Sequence, residues 1–176
     1  MKNKLATTAM LAAAAFWAAP PAAAQDAKPL RIGIFDSRAV ALAYGNSEEF
    51  QRITQGMRAD YDKAKAAAND SRAKELNAEG QWSQVRLHQQ VFSTGPVSGI
   101  LAKVADKLPA IAAQAGVALI VSKWEVQFKN PAVELVDVTL PIVKLFSPSD
   151  KVLQWVDQMK AQAPIPFEKL PLDPNM

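Results

Sequence analysis

The order of apolar and polar positions predicts strands at two places that lie far apart in the chain. Residues 30–35 are apolar and β-branched enough to form a short buried strand. Residues 117–128 contain an apolar run and then alternate aromatic and polar side chains, which predicts a β-hairpin that turns at Ser122 and Lys123. Residues 47–115 carry no β signal. The pattern therefore predicts an α+β fold, in which a long antiparallel helical hairpin is inserted between the strands of a small β head.

The inserted segment, residues 47–115, has the features of a helical arm. Its first apolar side chains, including Phe50 and Met57, recur at helical spacing in one narrow stripe. Residues 60–79 are mainly alanine and interspersed charges, so this part of the arm is expected to be solvated on most faces. Gly80 is expected to mark the reversal of the chain between the two helices of the hairpin.

A second apolar stripe follows the break at Gly95 and Pro96. Its steps are four, three, four, three and four, over Val97, Leu101, Val104, Leu108, Ile111 and Ala115. This spacing fits a coiled-coil seam and also an amphipathic helix packed on a sheet, so both interpretations stay open. In either case Leu101 and Leu108 are predicted to stabilise arm packing or an oligomer.

The remaining segments are assigned to the head and to a tail. Residues 25–46 and 116–163 should form the head, with one helix after Asp137 and another that Ser147 caps and Pro148 begins. Residues 164–176 contain four prolines at near-alternate places, which predicts an extended tail.

The first 24 residues have the pattern of a signal peptide. Lys2 and Lys4 precede an uncharged run, and Ala24 ends a small-residue cleavage site. We therefore expect export to the periplasm with cleavage after Ala24, and no transmembrane segment once the leader is removed. The sequence has no cysteine, which excludes disulfides and thiol chemistry.

Composition and side-chain chemistry point away from catalysis and from nucleic acid. The net charge is +3, and loss of the leader leaves 18 basic against 17 acidic residues, so no general attraction to nucleic acid is expected. His88 is the only histidine and has no acidic neighbour in sequence, whereas a metal site normally needs three or four ligands. No nucleophile, base and oxyanion set can be assembled from the motifs. The sequence predicts neither an enzyme nor a metal or cofactor site.

The layout and several short motifs resemble the OmpH/Skp family of periplasmic chaperones. The matching stretches are Arg31-Ile-Gly-Ile-Phe-Asp-Ser37 and residues 40–44 at the front, then Ala115-Gly-Val-Ala-Leu-Ile-Val-Ser122, Trp124-Glu-Val-Gln-Phe128 and Val136-Asp-Val-Thr139 at the back. The resemblance implies a homotrimer, with joined strands in the head and helical arms that hold unfolded outer-membrane proteins without ATP. This chain departs from the family in its shorter arms, its nearly neutral charge and its additional residues 147–176.

Candidate contact residues follow from these expectations. Apolar side chains on the arm would bind unfolded clients without reading sequence, or would instead pack the two arm helices together; they are Phe50, Met57, Trp82 and Phe92. A trimer would bury four apolar side chains of the head strands, Ile32, Ile34, Leu119 and Val121. The alternative function is a structural or adaptor protein of the cell envelope, which binds one defined partner through its arm or its C-terminal extension.

Overall fold

The computed structural model describes residues 29–170 and shows a small parallel sheet, a set of packed helices and a helical arm. The strands are β1 (Leu30–Phe35), β2 (Ile120–Ser122) and β3 (Val133–Asp137). The α-helices are α1 (Ser37–Gly45), α2 (Glu48–Ala66), α3 (Asp70–Phe92), α4 (Ser98–Leu101), α5 (Leu108–Ala115), α6 (Thr139–Lys144) and α7 (Asp150–Lys160). The predicted α+β class is confirmed. The predicted leader, residues 1–24, lies outside the described residues.

The sheet has the order β2-β1-β3, and both outer strands run parallel to β1. The predicted β-hairpin over 117–128 is wrong, because residues 124–128 are not a strand and the third strand is β3. Ser122 and Lys123 lack the turn chemistry that two-residue hairpins favour. Trp124 instead donates from its indole Nε1 to the Asp36 carboxylate at 3.2 Å, and Phe128 is 82% exposed. The alternating aromatic side chains of residues 124–128 therefore lie outside the sheet.

The main core lies between one face of the sheet and α1, α6 and α7. Phe35 at the end of β1 and nearly all of α1 are buried, and Ile142, Val143 and Val156 from the later helices pack against them. Asp36 begins α1 as its N-cap, since its side chain accepts a hydrogen bond from the backbone N–H of Arg38. The head is thus built around the short segment that connects β1 to α1.

The arm consists of α2 and α3, which reverse at residues 67–69. The Asn69 side chain accepts a hydrogen bond from the Arg72 N–H and starts α3, while Ala68 adopts a positive φ of 52°. Gly80 does not mark the reversal, as the sequence had suggested, but lies within α3. A cap side chain at Asn69 satisfies the first backbone donors of the new helix, whereas a single glycine only weakens a helix that continues through it.

The stripe over residues 97–115 packs on the head and does not extend the arm. It is divided into α4, a 3₁₀ segment at Ala102–Lys107 and α5, and Pro109 lies in the first turn of α5. Leu101 and Leu108 are half-buried against the main core. The amphipathic-helix interpretation of this stripe therefore describes the observed packing better than the coiled-coil seam.

The last described segment returns to the base of the arm. α7 begins later than predicted, because Ser149 and not Ser147 is its N-cap and accepts a hydrogen bond from the Val152 N–H. Between the end of α7 and residue 170, the only regular element is one 3₁₀ turn at Phe167–Lys169. The Ile165 N–H donates to the Phe92 carbonyl at 2.8 Å, and Leu170 is buried. The beginning of the predicted tail is thus attached to the end of α3, and residues 171–176 lie outside the described part.

Candidate binding surfaces

A groove of about 500 Å³ runs between the two helices of the arm. Phe50 and Leu87 lie at one end, Tyr61 and Leu76 at the other, and Met57 between them. Near the connection of the two helices, Ala64 and Ala73 are buried together with Leu76. Small alanine side chains allow that close approach, and farther along the arm the helices leave the groove between them.

The walls of the arm groove combine apolar and polar side chains. Thr54 and Arg58 on α2 face the same space as amide-bearing residues of α3, among them Asn77 and Gln84. Arg58 is held by Asp62, with Nε 3.3 Å from a carboxylate oxygen, and its guanidinium lies 5.5 Å from the Tyr61 ring centre. The groove can therefore offer both apolar contact and hydrogen bonds to an occupant.

The structure brings together only two of the four predicted client-contact residues. Phe50 and Met57 line the arm groove, and Phe50 also packs edge-on against Tyr44 with ring centres 5.3 Å apart. Trp82 is 55% exposed beside Glu79 and Arg86, outside the groove. Phe92 is 49% exposed at the end of α3. Neither Trp82 nor Phe92 lines this groove.

Sequence reasoning missed the α3 wall of the groove. That wall follows Leu76, Gly80, Ser83 and Leu87, whose steps are four, three and four. These steps are the signal of a helix face, but a glycine and a serine occupy the two inner positions. Because the prediction followed large apolar residues, it selected Trp82 on a different face of the helix.

A second candidate surface is the sheet face that points away from the main core. In β1, Gly33 and Phe35 are buried on the core side, so Ile32 and Ile34 lie on the other side. The strand register pairs Ile32 with Leu135 of β3, and Ile34 with Val121 of β2. We call the set Leu30, Ile32, Ile34, Leu119, Val121 and Leu135 the open sheet face. It contains all four predicted oligomer residues of the head strands.

The open sheet face is unusual for a parallel sheet. Leu30 is 53% exposed and Leu119 is 47% exposed, and the other members are half-buried. None of the six packs against the main core among the described residues. Parallel sheets normally have both faces covered, so an apolar face of this kind indicates a surface that another element or chain should cover.

A buried charge network fixes the junction between β1 and α1. The Asp36 carboxylate accepts hydrogen bonds from Arg38 Nη2 at 2.9 Å and from Trp124 Nε1, and Lys123 Nζ lies 2.8 Å from it. Burial alone would raise the pKa of Asp36, but the hydrogen bonds and charges of Arg38 and Lys123 outweigh it and lower that pKa to about 2. Asp36 therefore stays ionised, which suits a structural ion pair and not a proton-transfer group.

Residues 29–170 contain no group of three or more acidic, histidine or cysteine side chains that could hold a metal ion. Within the same residues, no helix is long and apolar enough to cross a membrane. A comparison with models of known protein families finds no match for this chain. Comparisons with curated proteins and with solved structures find no similar protein either.

Proposed function

We propose that the protein is an exported, non-catalytic holdase of the periplasm, which binds unfolded envelope or outer-membrane proteins without ATP. The observation that carries the proposal is the arm groove, where Phe50, Met57 and Tyr61 on α2 stand opposite the amide-bearing wall of α3. An unfolded segment exposes apolar side chains together with backbone groups that lack partners. A groove with an apolar wall and an amide-bearing wall can contact these side chains and these backbone groups in segments of many different sequences.

The chemistry of the groove favours weak and adaptable binding. Met57 is a flexible, polarisable side chain, and such side chains adjust to occupants of different shape. Only Arg58 among the groove-lining residues carries a charge, and Asp62 already pairs with it. The groove therefore gives little electrostatic preference, as expected for a site that binds many clients.

The open sheet face is the proposed assembly surface. In the proposed homotrimer, three copies cover each other's apolar positions Ile32, Ile34 and Val121, and three arm grooves then act on one client together. Linked weak sites raise the effective affinity without any new contact. This multiplicity would compensate for the small size of each groove.

The aggregation assay compares two α2 variants with the wild type. Met57→Gln replaces an apolar side chain of the groove wall by a polar one. Ile53→Gln introduces the same amide at a 40% exposed position of α2 that does not line the groove. Loss of roughly 1 kcal/mol of apolar contact corresponds to about a five-fold weaker affinity. We expect Met57→Gln, but not Ile53→Gln, to need more protein to prevent light scattering by two unrelated proteins diluted from urea. Equal protection by both variants would contradict the role of the groove.

The assembly is tested by solution mass from light scattering. Val121→Lys places a charge on the open sheet face, and Leu140→Lys places the same charge on a 40% exposed position of α6. We expect a trimeric mass for the wild type and for Leu140→Lys, and a monomeric mass for Val121→Lys. A monomeric wild type would refute the proposed trimer.

A second candidate function is that of an adaptor for one envelope partner. It is favoured by the C-terminal segment, where Ile165 and Phe167 are 42% and 43% exposed although the Phe92 carbonyl holds the Ile165 backbone in place. An adaptor would fail to protect unrelated clients and would retain one partner from an envelope extract. Removal of residues 164–176 should abolish that retention, whereas a holdase would keep its protecting activity.

A further inference from the structure

Trp82 is a large apolar side chain that neither the core nor the arm groove uses. It is 55% exposed, and the residues that surround it on the surface all belong to α3. We call Glu75, Ala78, Glu79, Trp82 and Arg86 the outer face of α3. Tryptophan is enriched among the residues that contribute most to protein interfaces, so the outer face is a candidate contact surface.

The charges of the outer face are separated along the helix. Glu75 and Glu79 come before Trp82 in the chain, and Arg86 comes after it. Glu79 is three residues before Trp82 and Arg86 is four residues after it, so all three lie on one stripe of the helix. The outer face is therefore acidic towards the start of α3, aromatic at its centre and basic towards the end.

Contacts within the chain leave one acid and one base of this stripe available. Arg72 Nη1 lies 3.0 Å from a Glu75 carboxylate oxygen but 3.9 Å from Glu79, so Arg72 is held mainly by Glu75. The Glu79 side chain is 58% exposed. Within residues 29–170, Arg86 makes no ion pair and no hydrogen bond. Glu79 and Arg86 can therefore each take a partner from another molecule.

A second copy of α3 in antiparallel orientation complements this order of charges. The midpoint between Glu79 and Arg86 lies next to Trp82, so a two-fold axis at that point sets each Glu79 against the Arg86 of the other copy. The same axis brings the two Trp82 side chains together. A parallel pair in register would instead set like charges side by side, and such charges across a helix pair decide its orientation.

We propose that the outer face of α3 binds the same face of a second copy, with Trp82 at the centre and two Glu79–Arg86 pairs beside it. Contact between two single helices buries less area than a standard protein interface, so the association is weak. The outer face shares no residue with the arm groove or the open sheet face, so this contact does not depend on the proposed trimer. In the proposed holdase it would join two trimers through their arms.

The test measures the mass of the protein by sedimentation equilibrium, from about 10 µM to about 1 mM, which is the range of weak association. We expect the mass to double with concentration, both in the wild type and in Val121→Lys, whose changed residue lies on the open sheet face. The mass at low concentration reports on the trimer, and the doubling reports on the outer face. Trp82→Ala should abolish the doubling. A mass that never doubles, or a doubling that Trp82→Ala leaves unchanged, would overturn the proposal.

Charge reversals test the antiparallel arrangement itself. Glu79→Arg or Arg86→Glu alone sets like charges together in both pairs, so each should weaken the doubling at least about five-fold. The two reversals combined restore opposite charges and should return the affinity to within about two-fold of the wild type. Arg52→Glu reverses an exposed charge on α2 and should change nothing. A combined variant that stays as weak as the single ones would overturn the proposal. So would a Trp82→Ala variant that protects clients less but keeps its mass, because Trp82 would then bind clients.

Discussion

The two glycines inside the arm helices allow stability and binding to be separated. Gly56 lies in α2 and Gly80 lies in α3, and a Cβ atom added at either position would meet no heavy atom within 4 Å beyond its chain neighbours and the backbone of its own helix turn. Neither glycine is therefore required by close packing. Gly80 lines the arm groove, whereas Gly56 is exposed and does not. The Gly80→Ala and Gly56→Ala variants thus form a matched pair.

Both substitutions should stabilise the arm by a similar amount. Glycine in a helix interior is about 1 kcal/mol less favourable than alanine, and neither new methyl group has a neighbour to displace. For a protein of this size, a gain of that magnitude raises the melting temperature by roughly 2–4 °C. Circular dichroism at 222 nm, which reports mainly on helices, measures this directly.

Only Gly80→Ala should weaken client binding. Its methyl group would occupy the α3 wall between Leu76 and Ser83, where the groove has space for an occupant. A methyl group that obstructs contact costs about 1 kcal/mol or more, which corresponds to roughly a five-fold loss of affinity. We expect Gly80→Ala to be more stable and less protective in the aggregation assay, and Gly56→Ala to be more stable and fully protective. If both variants protect as well as the wild type, the groove is not the client site.

Three further predictions concern the head. Asp36→Asn should destabilise the protein by roughly 3–5 kcal/mol in urea unfolding, because it leaves Arg38 buried without its counter-charge. Because folding lowers the pKa of Asp36 from 3.8 to about 2, its ionisation contributes about 2 kcal/mol above pH 4, and this is lost as the pH falls through about 2. An NMR titration of the Asp36 carboxyl carbon with a midpoint near 4 would disprove both the lowered pKa and its contribution to stability. Leu108→Asp should lower the stability of the head, since Leu108 packs on its core; an unchanged melting temperature would contradict that packing.

Local sequence signals predicted the surfaces of the head better than its topology. Ile32 and Ile34 alternate with Gly33, and that alternation is enough to place both side chains on one face of a strand. The pairing of the strands is not a local property. Ile32 is paired with Leu135, about a hundred residues later, and only the folded chain shows that this partner runs parallel. The sequence showed a nearer aromatic alternation and favoured a hairpin that does not form.

For the arm, the sequence predicted the helices but not the position of the turn between them. Its helical character was evident from spacing and charge, but the position of its turn depended on a cap and not on a glycine. Asn69 provides an oxygen that accepts from the Arg72 N–H, and this favours the start of α3 after a connection of three residues. Gly80 lies in the groove wall and not at the turn.

The distribution of buried side chains gives the head and the arm different local stabilities. α1 is buried along nearly its whole length and is fixed by the Asp36–Arg38 pair, whereas α2 buries only Ala64. A segment with few buried apolar contacts opens at a lower free energy than the core of the same protein. Hydrogen exchange should therefore be faster at the backbone amides of α2 than at those of α1. In the proposed holdase, an arm of this kind would adjust the width of its groove to different clients while the head keeps the open sheet face in place, and this combination would suit a holdase better than a rigid adaptor.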